Sequence, residues 1–179
     1  MEIQELIKAC TEKKSMAQKQ LYEMFAPKML GVCMRYMPSR DLAEDVLQDA
    51  FIKVFLNIGK YKQQAPIEAW IRRIVVNTAL NNIRDHLKKR MNDKEIEDSF
   101  VQLQDESVSF ESLSMEIMLQ ALQALPDGYR TVFNLYEIEG YSHKEIGELL
   151  EISENTSRSQ LAKAKKYLTT RLLKKEDFI

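Results

Sequence analysis

Apolar residues return every three or four positions along most of this 179-residue chain, which is the period of a helix and not of a strand. The rhythm stops in only a few places, and most of them carry one of the five Gly or four Pro. An all-α fold follows. A helical run over 16–36 stops at "MPSRD". The next run, "DLAEDVLQDAFIKVFLNI", is predicted to open on a capping box of Asp41 with Glu44 and to close on Gly59 as C-cap. After the loop "KYKQQAP" a long helix is predicted over 67–90. Residues 91–112 are rich in Asp, Glu, Ser and Gln and read as a linker. A second helical block begins at Leu113 and breaks at "PDG", "EG" and "EIS". The expected architecture is two small helical domains, 1–90 and 115–179, joined by an acidic linker over 91–114.

Charge follows the same division. The formal net charge is −1, yet residues 1–90 hold sixteen basic and ten acidic side chains, a net of +6. Residues 91–120 are net −7, and residues 153–175 are net +6. Two basic surfaces separated by an acidic connector suit a polyanion such as nucleic acid.

The last block is the most specific. Ser142 and Glu145 form a capping box at the start of "SHKEIGELL", and the three-residue turn "EIS" leads into a further helix. This is a helix-turn-helix, with Gly147 placed where two helices must approach closely. In the second helix Ser157, Leu161, Ala164 and Leu168 share one face and are expected to pack on Ile146, Leu149 and Leu150. The other face carries Asn155, Arg158, Ser159, Ala162, Lys165 and Lys166. Asn and Arg near a helix N-terminus can read base edges in a major groove, and the lysines suit phosphates.

Two other helices are sorted by charge. In 67–90, Arg73, Asn77, Asn81, Arg84 and Lys88 lie on one stripe, while Ile67, Ile71, Ile74, Leu80, Ile83 and Leu87 are available to a core. Asn is a poor helix former, so two on an exposed stripe need a further reason. Amides between cations suit bases between phosphates, and Tyr61 in the preceding loop could stack on an unpaired base. By contrast Asp41, Glu44, Asp45, Gln48 and Asp49 make an acidic arc opposite Leu42, Ala43, Val46, Leu47, Ala50 and Val54. An acidic face repels phosphate and points instead to a basic protein partner.

Other classes find little support. Cys10 and Cys33 stand alone, so reduced, packed thiols are expected, with no metal and no cofactor. Asp85–His86 and an exposed His143 are the only starting points for catalysis, and no phosphate loop or nucleophilic triad accompanies them. No signal peptide or membrane-spanning run is visible, so the expected setting is the cytoplasm, without membrane insertion. A stand-alone helix-turn-helix regulator, binding DNA as a dimer, explains the last block. It leaves the acidic helix and the second basic stripe unused, and no dimerisation face stands out.

With these residues in view, "AEDVLQDAFIKVF" and "AWIRRIVVNTALNNIRDHLKKR" resemble region 2 of bacterial extracytoplasmic-function sigma factors. "LQALPDGYRTVFNLYEIEGYSHKEIGELLEISENTSRSQLAKAKKYL" resembles their region 4. The resemblance implies a non-enzymatic subunit, monomeric when free, that binds core RNA polymerase and directs it to promoter DNA. By that resemblance Asp45, Gln48 and Asp49 contact the polymerase. By the same resemblance Tyr61 and Asn77, and less closely Arg84 and Lys88, serve the −10 element, and Arg158 and Lys163 serve the −35 element; the helix faces add Asn81 to the first set and Asn155, Thr156, Ser159 and Lys165 to the second. An anti-sigma factor is the implied inhibitor. The family commonly has Gly, Val and Arg where this chain has Asn155, Ser157 and Gln160, so the preferred −35 bases are open.

Overall fold

The protein is described by a computed structural model covering residues 2–92 and 110–176, with side chains described for 2–86 and 115–172. All of its regular structure is helical, and the chain divides into two compact units, 1–95 and 96–179.

The first unit packs α2 (Ser15–Tyr36), α3 (Arg40–Asn57) and α4 (Ile67–Asn92) mutually, with α1 (Ile3–Thr11) against α2. The apolar spacing of 1–14 is too short to stand out as a run, yet α1 forms because Leu6, Ile7 and Cys10 fall on one face and are buried. A nine-residue helix is marginal alone; burying two aliphatic side chains contributes roughly 3–6 kcal/mol and holds it in place. In α2 the helix continues through Pro27, because buried Leu21, Phe25, Met29, Val32, Cys33 and Tyr36 anchor it on both sides.

Two expected boundaries move. The N-cap of α3 is Ser39, whose Oγ accepts from the Leu42 N–H at 3.4 Å, not Asp41. Asp41 lies in the first turn, where a negative charge suits the helix dipole, and Glu44 pairs with Arg40 at 2.8 Å. Nor is Gly59 a C-cap: α3 ends at Asn57 and runs into a 3-10 turn, Ile58–Lys60. Buried Ile71, Val75, Val76, Thr78, Ala79, Leu80 and Ile83 make α4 central to this unit. Ile67 joins them, Ile74 is half-buried, and the side chain of Leu87 lies outside the described residues.

The second unit contains α5 (Phe110–Gln123), α6 (Asp127–Phe133), a π-helical segment (Asn134–Ile138), α7 (His143–Leu150) and α8 (Glu154–Glu176). Ala121, Leu122, Leu125, Ala164 and Leu168 form its core, with Tyr129, Phe133, Tyr167 and Leu172 packed around them. Both ends of the expected 91–114 linker are helical, since α4 reaches Asn92 and α5 starts at Phe110; the rest of it lies outside the described residues.

Arg130 fastens the start of this unit. It is 1% exposed, and its guanidinium donates to the carbonyls of Gln123 and Leu125 at 3.0 and 2.8 Å and to the Asp127 carboxylate. The Gln123 carbonyl lies at the end of α5 and the Leu125 carbonyl in the turn that follows, so one guanidinium ties both to the start of α6. Burial pushes the Arg130 pKa down, while the neighbouring Asp127 carboxylate opposes that shift. Gly140 follows the π segment with φ +79°, a backbone region that a side chain would strain.

Candidate nucleic-acid interface

The helix-turn-helix is built by local chemistry. Ser142 Oγ accepts from the Glu145 N–H at 3.3 Å, and the Glu145 carboxylate accepts from the Ser142 N–H at 2.8 Å. The Ser142 hydroxyl, donating to the same carboxylate at 2.7 Å, and then the Ser142 N–H hold the Glu145 carboxyl below its usual pKa. At the other end of α7, Glu151 takes a left-handed conformation (φ 57°) and the Ile152 N–H donates to the Gly147 carbonyl at 3.1 Å. Gly147 is required by the turn itself: a Cβ there would meet the Ile152 carbonyl oxygen at 2.8 Å. Ser153 Oγ accepts from the Thr156 N–H at 3.0 Å and caps α8.

The two faces of α8 divide as expected. Ser157, Leu161, Ala164 and Leu168 are buried, as is Ile146, while Leu149 and Leu150 are half-buried; Ala164 and Leu168 pack with Ala121, Leu122 and Leu125 and not on α7 as expected. Asn155, Ser159, Ala162 and Lys166 run down the middle of the exposed face at spacings of four, three and four. Arg158 and Lys165 flank that line on one side. Arg158 pairs with Glu154, and Lys165 pairs with Glu137 of the π segment at 2.7 Å. On the other flank, half-buried Thr156 lies in the first turn and Lys163 sits over the Tyr129 ring, 6.0 Å from its centroid. Gln160 turns inward, its amide within 3.5 Å of a Cβ built on Gly128. It packs on α6 instead of facing outward, so Asn155 is the departure that bears on the exposed face. Lys166 belongs with the candidate residues by position, and its helical spacing from Asn155 was the signal for it.

His143 differs from expectation. It is 8% exposed: the ring stacks on Tyr136 (centroids 4.3 Å apart, planes 18° apart), and Nδ1 lies 2.9 Å from Ser157 Oγ. Its sequence neighbours Ser142 and Lys144 are exposed, but the first turn of α7 directs this side chain against the π segment and α8.

In the first unit, Arg73, Asn77 and Asn81 are exposed along α4 and Arg84 is half-buried; the Lys88 side chain lies outside the described residues. Tyr61 is not a loose loop residue. Its ring lies against Trp70 (centroids 5.6 Å apart), and its hydroxyl donates to the Ala65 carbonyl at 2.5 Å. The two rings form an aromatic pair at the start of the stripe, which adds Trp70 to the candidates.

On α3, Asp41, Asp45, Gln48 and Asp49 are exposed and Glu44 is half-buried. The same stripe then turns apolar, with Ile52 58% and Leu56 76% exposed. Sequence reasoning missed this continuation because period alone does not say which apolar residues stay in water. A groove lined by Tyr22, Ala26, Pro27, Leu30, Leu47 and Gln48 runs beside it, between α2 and α3.

Cys10 and Cys33 are both buried thiols. Burial pushes Cys10 above its usual pKa and Cys33 up to about 12, so neither is a poised nucleophile. Among the described residues no group of His, Cys, Asp and Glu could hold a metal ion, and no helix is long and apolar enough to cross a membrane.

Comparison with known proteins agrees with this division. Residues 21–89 match the family model for sigma-70 region 2, and residues 115–168 match that for sigma-70 region 4. The chain is 30% identical over 148 residues to the RNA polymerase sigma-H factor of Pseudomonas aeruginosa, covering 77% of each chain. It is 28% identical over 162 residues to the ECF RNA polymerase sigma-E factor of Haemophilus influenzae, covering 85% of each. Among solved structures, the sigma factor RpoE of Bartonella quintana, in complex with the anti-sigma factor NepR, superposes with a TM-score of 0.55 at 19% identity. That match covers 86% of this chain and 95% of that one, and it supports the fold.

Proposed function

The chain belongs to the sigma-70 family, in its extracytoplasmic-function group, and on that premise we propose how its two bundles divide the work. A sigma factor binds core RNA polymerase and directs it to promoters, and it is not itself an enzyme. The stand-alone regulator reading is therefore set aside. The first bundle, 1–90, takes the polymerase and the −10 element; the second, 115–179, takes the −35 element; residues 91–114 tether them.

The observation that carries this reading is the sorting of surfaces within one bundle. Helix α3 presents Asp45, Gln48 and Asp49 beside exposed Ile52 and Leu56. Acid supplies electrostatic fit to a basic partner, and the apolar side chains supply area to bury at the centre of the contact. Helix α4 presents the opposite chemistry. Arg73, Asn77, Asn81 and Arg84, with the Tyr61–Trp70 pair at the head of the stripe, suit the bases and phosphates of an opened strand, and Lys88 continues the same spacing in the sequence. In the second bundle Asn155, Arg158 and Ser159 are positioned for base edges, and Thr156, Lys163, Lys165 and Lys166 for phosphates. The ion pairs of Arg158 and Lys165 lie at the surface, where such pairs contribute only about 0–1 kcal/mol, so a phosphate can displace either carboxylate.

We place the protein in the cytoplasm with its polymerase, as a monomer when free. The Bartonella relative was solved with an anti-sigma factor, and a protein inhibitor of that kind would cover the same surfaces here.

The test is run-off transcription and core capture with three variants. Asp45→Lys with Asp49→Lys is expected to abolish capture of core. Asn77→Ala is expected to keep capture and lose transcript, and Arg158→Ala to lose discrimination among −35 sequences. Retention of full capture by the charge-reversed chain would contradict the assignment of α3.

A further inference from the structure

We propose that His143, through its hydrogen bond to Ser157 and its stack on Tyr136, is a positioning residue that sets where α8 presents Asn155 and Arg158 to base edges. The inference rests on the reading of α8 as the −35 reader, and it assigns a role to a side chain outside the DNA-contacting set.

Three elements meet at this ring. His143 opens α7, Tyr136 belongs to the π segment, and Ser157 is the fourth residue of α8. Ser157 is fully buried and His143 is 8% exposed, so neither can touch DNA directly. Around them α7 and α8 pack on each other, with Ile146 and Gly147 of α7 and Leu161 of α8 buried. Apolar packing is non-directional and tolerates small slides. A hydrogen bond is directional and confined to a few tenths of an ångström, so one buried polar pair inside an apolar joint selects a single register. Recognition needs that selection, because a binding constellation must be held to about 0.5 Å. Ser157 stands two residues after Asn155 and directly before Arg158, so any shift at its Oγ passes to both.

The chemistry of the pair is self-consistent. Burial pushes the His143 pKa below the usual histidine value, and the Arg158 guanidinium and Lys165 ammonium push the same way against the Glu154 carboxylate. The ring is therefore neutral at physiological pH. Whichever tautomer it adopts, the Ser157 hydroxyl can take the complementary role, since it both donates and accepts. Removing either partner leaves the other buried without a mate, which costs more than the bond itself contributes.

The experiment uses holoenzyme reconstituted from core polymerase and full-length chain. A promoter it transcribes is converted into a panel of single base-pair changes across the −35 element, and relative transcript yield is read for each. The variants are His143→Phe, which keeps the ring and its stack, Ser157→Ala, which removes only the hydroxyl, their double, and His143→Asn, whose amide can occupy the Nδ1 position. Melting of each chain is recorded alongside. Either single removal is expected to lower best-to-worst discrimination roughly three- to tenfold and to reorder the preferred base pairs. The double is expected to resemble the singles, and His143→Asn to restore most of the discrimination. An unchanged panel ranking in His143→Phe and Ser157→Ala overturns the proposal. So does a uniform loss across the panel that follows lost folded fraction, because that marks a purely structural contact. A wild-type holoenzyme blind to every −35 change refutes instead the assignment of α8, a separate failure visible before any variant is made.

Discussion

Replacing glycine by alanine at two helical positions should move stability in opposite directions. Gly31 lies within α2, is exposed, and a Cβ built there meets nothing within 4 Å. Gly147 lies within α7, and its Cβ would sit 2.8 Å from the Ile152 carbonyl oxygen. Helix propensity favours alanine by about 1 kcal/mol at either site. At Gly31 nothing opposes that gain, so Gly31→Ala is expected to stabilise by about 1 kcal/mol. At Gly147 the opposing atom is backbone, in a turn already committed to a left-handed residue at Glu151. To restore ordinary contact the Ile152 peptide must move outward by roughly half an ångström, an overpacking cost of about 1–3 kcal/mol. That movement also strains the 3.1 Å bond from the Ile152 N–H to the Gly147 carbonyl, which contributes about 1 kcal/mol. The sum is a net loss of about 1–3 kcal/mol. Urea unfolding reads both: Trp70, the single tryptophan, reports the first unit by fluorescence, and far-UV dichroism, which senses the helices of both units, gives the second once the tryptophan transition is accounted for. A Gly147→Ala chain as stabilised as Gly31→Ala would refute the close-approach argument.

Three further outcomes follow from the same contacts. Arg130→Met should destabilise the second unit by about 3–5 kcal/mol, because it removes the donor to the buried Leu125 carbonyl and the part-buried Gln123 carbonyl and takes its cation from Asp127; hydrogen exchange in α5 and α6 would show the loss. The lowered pKa of His143 means that the unfolded chain takes up its proton more readily than the folded one. The second unit should therefore be fully stable above pH of about 6.5 and lose stability as pH falls below it, and His143→Phe should flatten that part of the urea-midpoint profile. Lys166→Ala should weaken holoenzyme binding about equally on all −35 sequences and reduce the slope of log affinity against log salt by about one.

What could be read from the residues was what local chemistry decides. The Ser142–Glu145 box, the "EIS" turn and the face of α8 bearing Ser157, Leu161, Ala164 and Leu168 all depend on spacings of three or four within one segment. What escaped depends on distant partners. His143 opens an exposed-looking turn, and only the approach of Tyr136 and Ser157 buries it. Ser39 rather than Asp41 caps α3, a choice between two competent oxygens two residues apart that the path of the chain from α2 decides. Helix α1 was invisible because nine residues give too few periods, and its stability comes from α2. Ile52 and Leu56 look like core by type and lie in water.

The central claim is that promoter recognition by this chain is assembled on the polymerase. Its most direct test is the affinity of a promoter fragment carrying both elements, measured with the chain alone and again with core enzyme added. The account predicts weak, salt-sensitive binding by the chain alone and a sharp gain with core, since docking orders two DNA-reading bundles in advance. Equal affinity with and without core enzyme would contradict it.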